Sequence, residues 1–158
     1  MTKFLLSIHV LAAIVAIGPI TVAASMFPAR ARRALAGSGA DGGFAVLRTL
    51  HRICRVYAAV GIAVPVFGFA TAHSLGVLGD AWLITSIALT AAAAGVLGLL
   101  ILPRQQRLLD SVPNSGPANL GSHGSGPARL AMYTGVFNVL WAVVTVLMIV
   151  RPGSTTGV

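Results

Sequence analysis

Four long apolar runs, each almost free of permanent charge, alternate with short polar stretches along the chain. The first is Phe4–Phe27, FLLSIHVLAAIVAIGPITVAASMF. At ~1.5 Å per residue it reaches ~36 Å as a helix, enough to cross a ~30 Å hydrocarbon core. Further runs cover about residues 54–73, 81–102 and 130–150. They are too long and too uniformly apolar for barrel strands, and a spanning segment must satisfy its own backbone, so each is expected to be a helix. The expected fold is all-α: one membrane domain over residues 1–158, a polytopic bundle of four transmembrane helices.

The connections set an expected orientation. Arg30, Arg32, Arg33, Arg48, Arg52 and Arg55 fall in or beside the first connection, and Arg104, Arg107 and Arg129 in or beside the third. The second, HSLGVLGD, has neither lysine nor arginine. Basic residues are retained on the cytoplasmic side, which predicts both termini outside and an inner (plasma) membrane, multi-pass location. The Gly/Ser/Pro-rich stretches within about 29–47 and 104–128 are expected to be flexible cytoplasmic loops, with Leu47–Arg55 as a basic helical lead-in to the second span. A cleavable signal peptide predicts an apolar run of only ~7–15 residues. The longer first run, with one lysine before it and three arginines after it, is expected to be a retained helix.

Composition narrows the function classes. Only 9% of the 158 residues are charged, 56% are hydrophobic and the mean hydropathy is +0.89, too little charge to cover a water-facing surface. The net charge of +8 lies in segments beside apolar spans, the pattern of a protein meeting anionic lipid rather than nucleic acid. Cys54 is the single cysteine, which excludes an intrachain disulfide and a cysteine zinc cluster. The acids are Asp41, Asp80 and Asp110, with no glutamate, so paired-carboxylate chemistry and acidic proton relays have no support. No nucleotide loop, catalytic Ser/His/Asp series or metalloprotease motif is present, and nothing in the chain argues for an enzyme.

Helical spacing gathers small and polar residues into faces suited to packing. His9, Ala13, Ala16, Ile20 and Ala23 or Ala24 share one face of the first helix. Gly61, Pro65, Gly68, Ala72 and Gly76 form a small-residue stripe on the second, and Ser86, Thr90, Ala94 and Gly98 another on the third. Such stripes let backbones approach, and buried hydroxyls can bond across helices. On the fourth helix Thr134, Asn138, Trp141 and Thr145 make the most polar face, and Asn138 is expected to point into the bundle. Pro19 and Pro65 each leave a helical carbonyl without its usual donor; helix curvature is the commoner outcome, and a kink around a ligand the rarer one.

His9 is the one ionisable residue well inside a span. A neutral imidazole there can ligate haem iron or copper, or relay a proton; its ordinary alternative is a hydrogen bond to a neighbouring helix. His73 ends the second span on the same side, so a site shared by His9 and His73 is geometrically allowed, although an interfacial histidine facing water is the more common case. His51 lies on the opposite side among arginines, where Arg52 and Arg55 suit lipid phosphate. His123 falls in a Gly/Ser loop and is expected to be solvated. Cys54 beside arginines has the setting of an activated thiol, but a lone interfacial cysteine usually has no special role.

The opening LLSIHVLAAIVAIGP resembles the first helix of small bacterial integral-membrane proteins of unknown function, and LRTLHRICRVYAAVGIAVPVFGFATA resembles their second. The likeness extends loosely to the membrane domain of copper-resistance D-type proteins and to the HemJ-type protoporphyrinogen oxidase. Those relatives imply histidine-bound copper or haem b, and His9 is the residue that maps onto them. Ala16-Ile17-Gly18 replaces the aromatic usually found before the glycine step, and the charged residues expected of a haem-dependent oxidase are missing from the spans. Three roles arise as expectations: an accessory or structural subunit, as a homo-oligomer or in a larger membrane complex; a haem- or copper-binding module using His9, with His73 as a second ligand; and a small-molecule or lipid carrier.

Overall fold

The computed structural model describes residues 2–36, 42–111 and 125–153. Helix α1 is Thr2–Leu35, α2 Gly43–Val60, α3 Ala63–Leu75, α4 Ala81–Gly95, α5 Leu102–Ser111 and α6 Ser125–Val150. A π-helical turn, Val96–Ile101, joins α4 to α5. The four continuous helical stretches, Lys3–Leu35, Gly43–Leu75, Ala81–Ser111 and Gly126–Val150, are each long and apolar enough to cross a membrane. No strand occurs among the described residues, and the expected all-α architecture of four spans is what the molecule has.

Helix runs further than hydropathy does. The apolar window of the first span closes at Phe27, yet α1 continues through Arg30, Arg32 and Arg33 to Leu35. Likewise α2 begins at Gly43, and α5 carries helix from Leu102 to Ser111. Alanine, leucine, glutamine and arginine are good helix formers, so the end of an apolar run does not end a helix. Much of 29–47 and 104–128, expected as loop, is therefore helical. His123 and Asp41 lie outside the described residues.

The second helical stretch is distorted by a tight turn at Gly61-Ile62, just before Pro65, where curvature was expected. Pro65 has no N–H for the Gly61 carbonyl, which instead accepts from Val64 N at 3.1 Å. Gly61 N bonds Tyr57 O at 2.7 Å and Ile62 N bonds Ala59 O at 3.2 Å, a tightened turn between α2 and α3. A Cβ on Gly61 would sit 3.2 Å from the Tyr57 and Ala58 carbonyl oxygens of that turn. Across Gly18-Pro19, by contrast, α1 remains helical.

α1 is the central strut: it packs against α2, α3 and α6. α6 in turn packs against α4 and the π turn, and α5 meets α2, so the spans close a ring in chain order. Ile20, Ala23, Ala24, Phe27 and Ala31 of α1 form the largest cluster with Leu47, Leu50, Leu97, Ile101, Leu130 and Phe137. That cluster occupies the arginine-rich end of the bundle. A smaller one, Ala72 with Trp82 and Leu83, fastens the other end, where Trp82 Nε1 donates to Asp80 Oδ2 at 2.9 Å.

The π turn sets the register of the third span. Ala93, Leu97, Ile101 and Gln105 are all buried, three successive steps of four residues. In a regular α-helix each such step drifts forward by about 40°, and three would carry Gln105 a third of the way round the helix. The wider π turn absorbs the surplus residue and keeps all four on the inward face.

Candidate functional site

Two polar constellations cross between helices, one in the His9 half of the bundle and one at the arginine-rich end. His9 is 7% exposed, and its Nδ1 lies 2.9 Å from Val64 O on α3. A carbonyl only accepts, so Nδ1 carries the proton and, in the neutral ring, Nε2 holds the lone pair. The ring lies against Gly68: a Cβ there would stand 2.9 Å from His9 Cε1 and 3.2 Å from Nδ1. Glycine at 68 is thus what lets α3 approach the imidazole.

His73 is not part of this seat. It follows Val64 by nine residues, about two and a half helical turns, and so lies on the opposite face of α3. Its side chain is exposed. Among the described residues no group of three or more histidines, cysteines or acids is placed to hold a metal.

The packing residues divide. Ser86 and Ala72 are buried, Gly61, Gly68 and Thr90 half-buried, and Pro65, Ala94 and Gly98 face outward. Ser86 Oγ donates to Trp82 O at 2.8 Å, Thr90 Oγ1 to Ser86 O at 2.7 Å and Thr134 Oγ1 to Leu130 O at 3.0 Å. These hydroxyls spend their bonds on their own helices rather than across to a neighbour, because the carbonyl four residues back is always in reach. Asn138 does cross, its Nδ2 donating to Ser25 Oγ at 3.2 Å, while its buried Oδ1 has no partner among the described residues.

At the other end, α2 presents His51 and Cys54 to Gln105 of α5. His51 is 7% exposed, and Gln105 and Cys54 are fully buried. Gln105 Nε2 lies 3.6 Å from Cys54 Sγ, which turns its Oε1 toward His51 Nδ1 at 3.1 Å. Nδ1 therefore donates, and Nε2 is again left as the acceptor. Outside this buried triad a cavity of about 630 Å³ opens between α2 and α5, lined by Arg48, His51, Arg52 and Arg55 on one wall and by Gln106 and Asp110 on the other. Arg48 stacks over the Phe44 ring at 4.8 Å, and Gln106 Nε2 donates to Asp110 Oδ1 at 3.0 Å.

Arg52 and Arg55, expected to suit lipid phosphate, both line this cavity; the part played by Gln105 was not expected. The signal lay in RQQRLL: if 102–111 is read as helix, Gln105 shares a face with Leu108 and Leu109, both buried. Taking that segment as loop concealed it.

Residues 3–152 match the family described as predicted integral membrane protein (DUF2269), and the chain belongs to that family. No curated protein and no solved structure matches it significantly. The family match supports a membrane protein of uncharacterised role; it does not extend to the copper-resistance D-type or HemJ-type proteins.

Proposed function

We propose that this protein is a non-enzymatic accessory subunit of the inner membrane, with both termini outside, which assembles through the outward faces of its spans with further copies of itself. One observation carries the reading. Gly18, Gly98 and Gly135 sit inside three different spans on exposed faces, and a Cβ at any of them would meet nothing within 4 Å. Glycine inside a helix costs about 1 kcal/mol relative to alanine, and nothing among the described residues requires it at these positions. Close approach of a neighbouring helix does require it. The test is the mass of the detergent-purified protein by light scattering, for the natural chain and for Gly18→Ile, Gly98→Ile and Gly135→Ile. An oligomer that at least one substitution dissociates is the expected result; a strictly monomeric natural chain overturns the reading.

A second reading is favoured by the His9 geometry. An imidazole whose Nδ1–H is held by a backbone carbonyl has the orientation and tautomer of a metal-ligating histidine. Nε2 is the atom that would bind haem iron or copper, and no described residue bonds to it. Among the described residues no group of three or more histidines, cysteines or acids stands ready to complete a metal's coordination. Visible absorption and metal analysis of the purified protein decide between the readings. Binding lost in His9→Ala and kept in His51→Ala supports the module; a colourless, metal-free protein that takes up neither haem nor copper excludes it.

A further inference from the structure

We infer that the cavity between α2 and α5 is a binding site for the phosphodiester headgroup of an anionic phospholipid. Arg48, Arg52 and Arg55 fall at i, i+4 and i+7 on α2, so their guanidinium groups line one wall together. The facing wall offers one carboxylate, Asp110, already engaged by Gln106. Three guanidinium groups against one carboxylate leave an excess of two positive charges in a concave site, and guanidinium groups bind phosphate oxygens bidentately. Stacking on Phe44 restrains the plane of Arg48 while leaving the in-plane N–H groups available.

The buried triad behind the wall adds selectivity. Gln105 holds His51 Nδ1, and His51 lines the cavity, so the ring nitrogen that remains for a ligand is an acceptor, Nε2. A hydroxyl group beyond the phosphate can donate to it, as in a polyol headgroup such as glycerol; a quaternary ammonium has no hydrogen to give and is repelled by the arginines. The lining also changes character along α2. It is basic from Arg48 to Arg55 and continues as Val56 and Ala59, where the helix enters the apolar span. A ligand filling this cavity is charged at one end and apolar at the other, which selects a membrane lipid over a free phosphate ester.

The test uses the full-length protein in nanodiscs of phosphatidylcholine with a minor fraction of phosphatidylglycerol, with retained lipid read by native mass spectrometry. Preferential retention of phosphatidylglycerol is expected, falling about fivefold for each of Arg48→Gln, Arg52→Gln and Arg55→Gln, the order associated with one basic residue at an anionic surface. Arg32→Gln removes the same charge from the same end of the bundle outside the cavity and should retain the preference. Arg52→Lys keeps the charge without the bidentate fork and should be intermediate. Helix content by circular dichroism is measured on every variant, and only folded variants are compared. Equal retention of both lipids, an equal loss in Arg32→Gln, or full displacement by soluble glycerol phosphate at matched concentration overturns the inference.

Discussion

Substituting Gly68 by alanine should weaken the protein although alanine is the better helix former, and the reason is a single ring. The new methyl would lie 2.9 Å from His9 Cε1, 3.2 Å from Nδ1 and 3.7 Å from Nε2. That ring is not the loose end of a flexible chain: it is 7% exposed and tied to Val64 O at 2.9 Å. Either the imidazole leaves the carbonyl or α1 and α3 separate. Overpacking of this kind costs about 1–3 kcal/mol. The lost interhelical hydrogen bond adds about 0.6 kcal/mol, and the gain in helix propensity returns about 1 kcal/mol. The net expectation is a loss of about 0.6–2.6 kcal/mol.

With His9→Ala as background, the obstacle is absent and the propensity gain stands alone, so Gly68→Ala should stabilise by up to about 1 kcal/mol. The two sites are then coupled by about 1.6–3.6 kcal/mol, overlapping the range seen for residues in direct contact. Reversible unfolding in mixed micelles, followed by circular dichroism for the four members of the cycle, measures this directly. If Gly68→Ala changes stability equally in both backgrounds, the imidazole is not what glycine accommodates and the seat described for His9 is wrong.

Gln105→Leu should cost about 1–3 kcal/mol in the same unfolding assay, because it leaves the buried His51 Nδ1 without an acceptor, whereas Gln105→Glu keeps the acceptor and should cost less. For orientation, in a Cys54→Ser background a cysteine replacing Ser74 should react with a membrane-impermeant maleimide on intact cells, and one replacing Ala36 should react only after lysis. The reverse labelling pattern would invert the topology.

Different signals fixed different parts of the molecule. The spans were legible because twenty apolar residues have few alternatives to a membrane helix, and the burial of His9, Ala16, Ile20, Ala23 and Ala24 follows the helical spacing of α1. At Pro65 curvature was the expectation; the structure has a tight turn between α2 and α3 instead, where the Gly61 carbonyl accepts from Val64 N. Helix ends were not legible from hydropathy, since α1 and α5 continue past the apolar runs on the propensity of Ala, Arg, Leu and Gln. Pairings between helices were hardest of all. Nothing in VLGLLI marks an inward position, because every side chain there but Gly98 is apolar; the π turn that sends Gln105 to His51 leaves no trace in the pattern.

That π turn makes a contrast between two deletions informative. A π turn holds one residue more than the α-helical path between the same flanking positions, so removing a residue from inside it restores regular helix without rotating the residues beyond it. Leu99 lies within Val96–Ile101 and is 76% exposed, so its loss removes little packing. Its deletion should leave Gln105 opposite His51 and keep the fold. Deleting Ala88, also exposed but in the regular part of α4, has no surplus residue to absorb and turns everything beyond it by about 100° relative to Trp82 and Leu83. Either the Trp82 cluster with Ala72 or the inward row of Leu97, Ile101 and Gln105 must then leave its place, and unfolding at markedly lower denaturant is expected. Equal loss of stability in both deletions would show that the π turn is itself required and does more than hold a surplus residue.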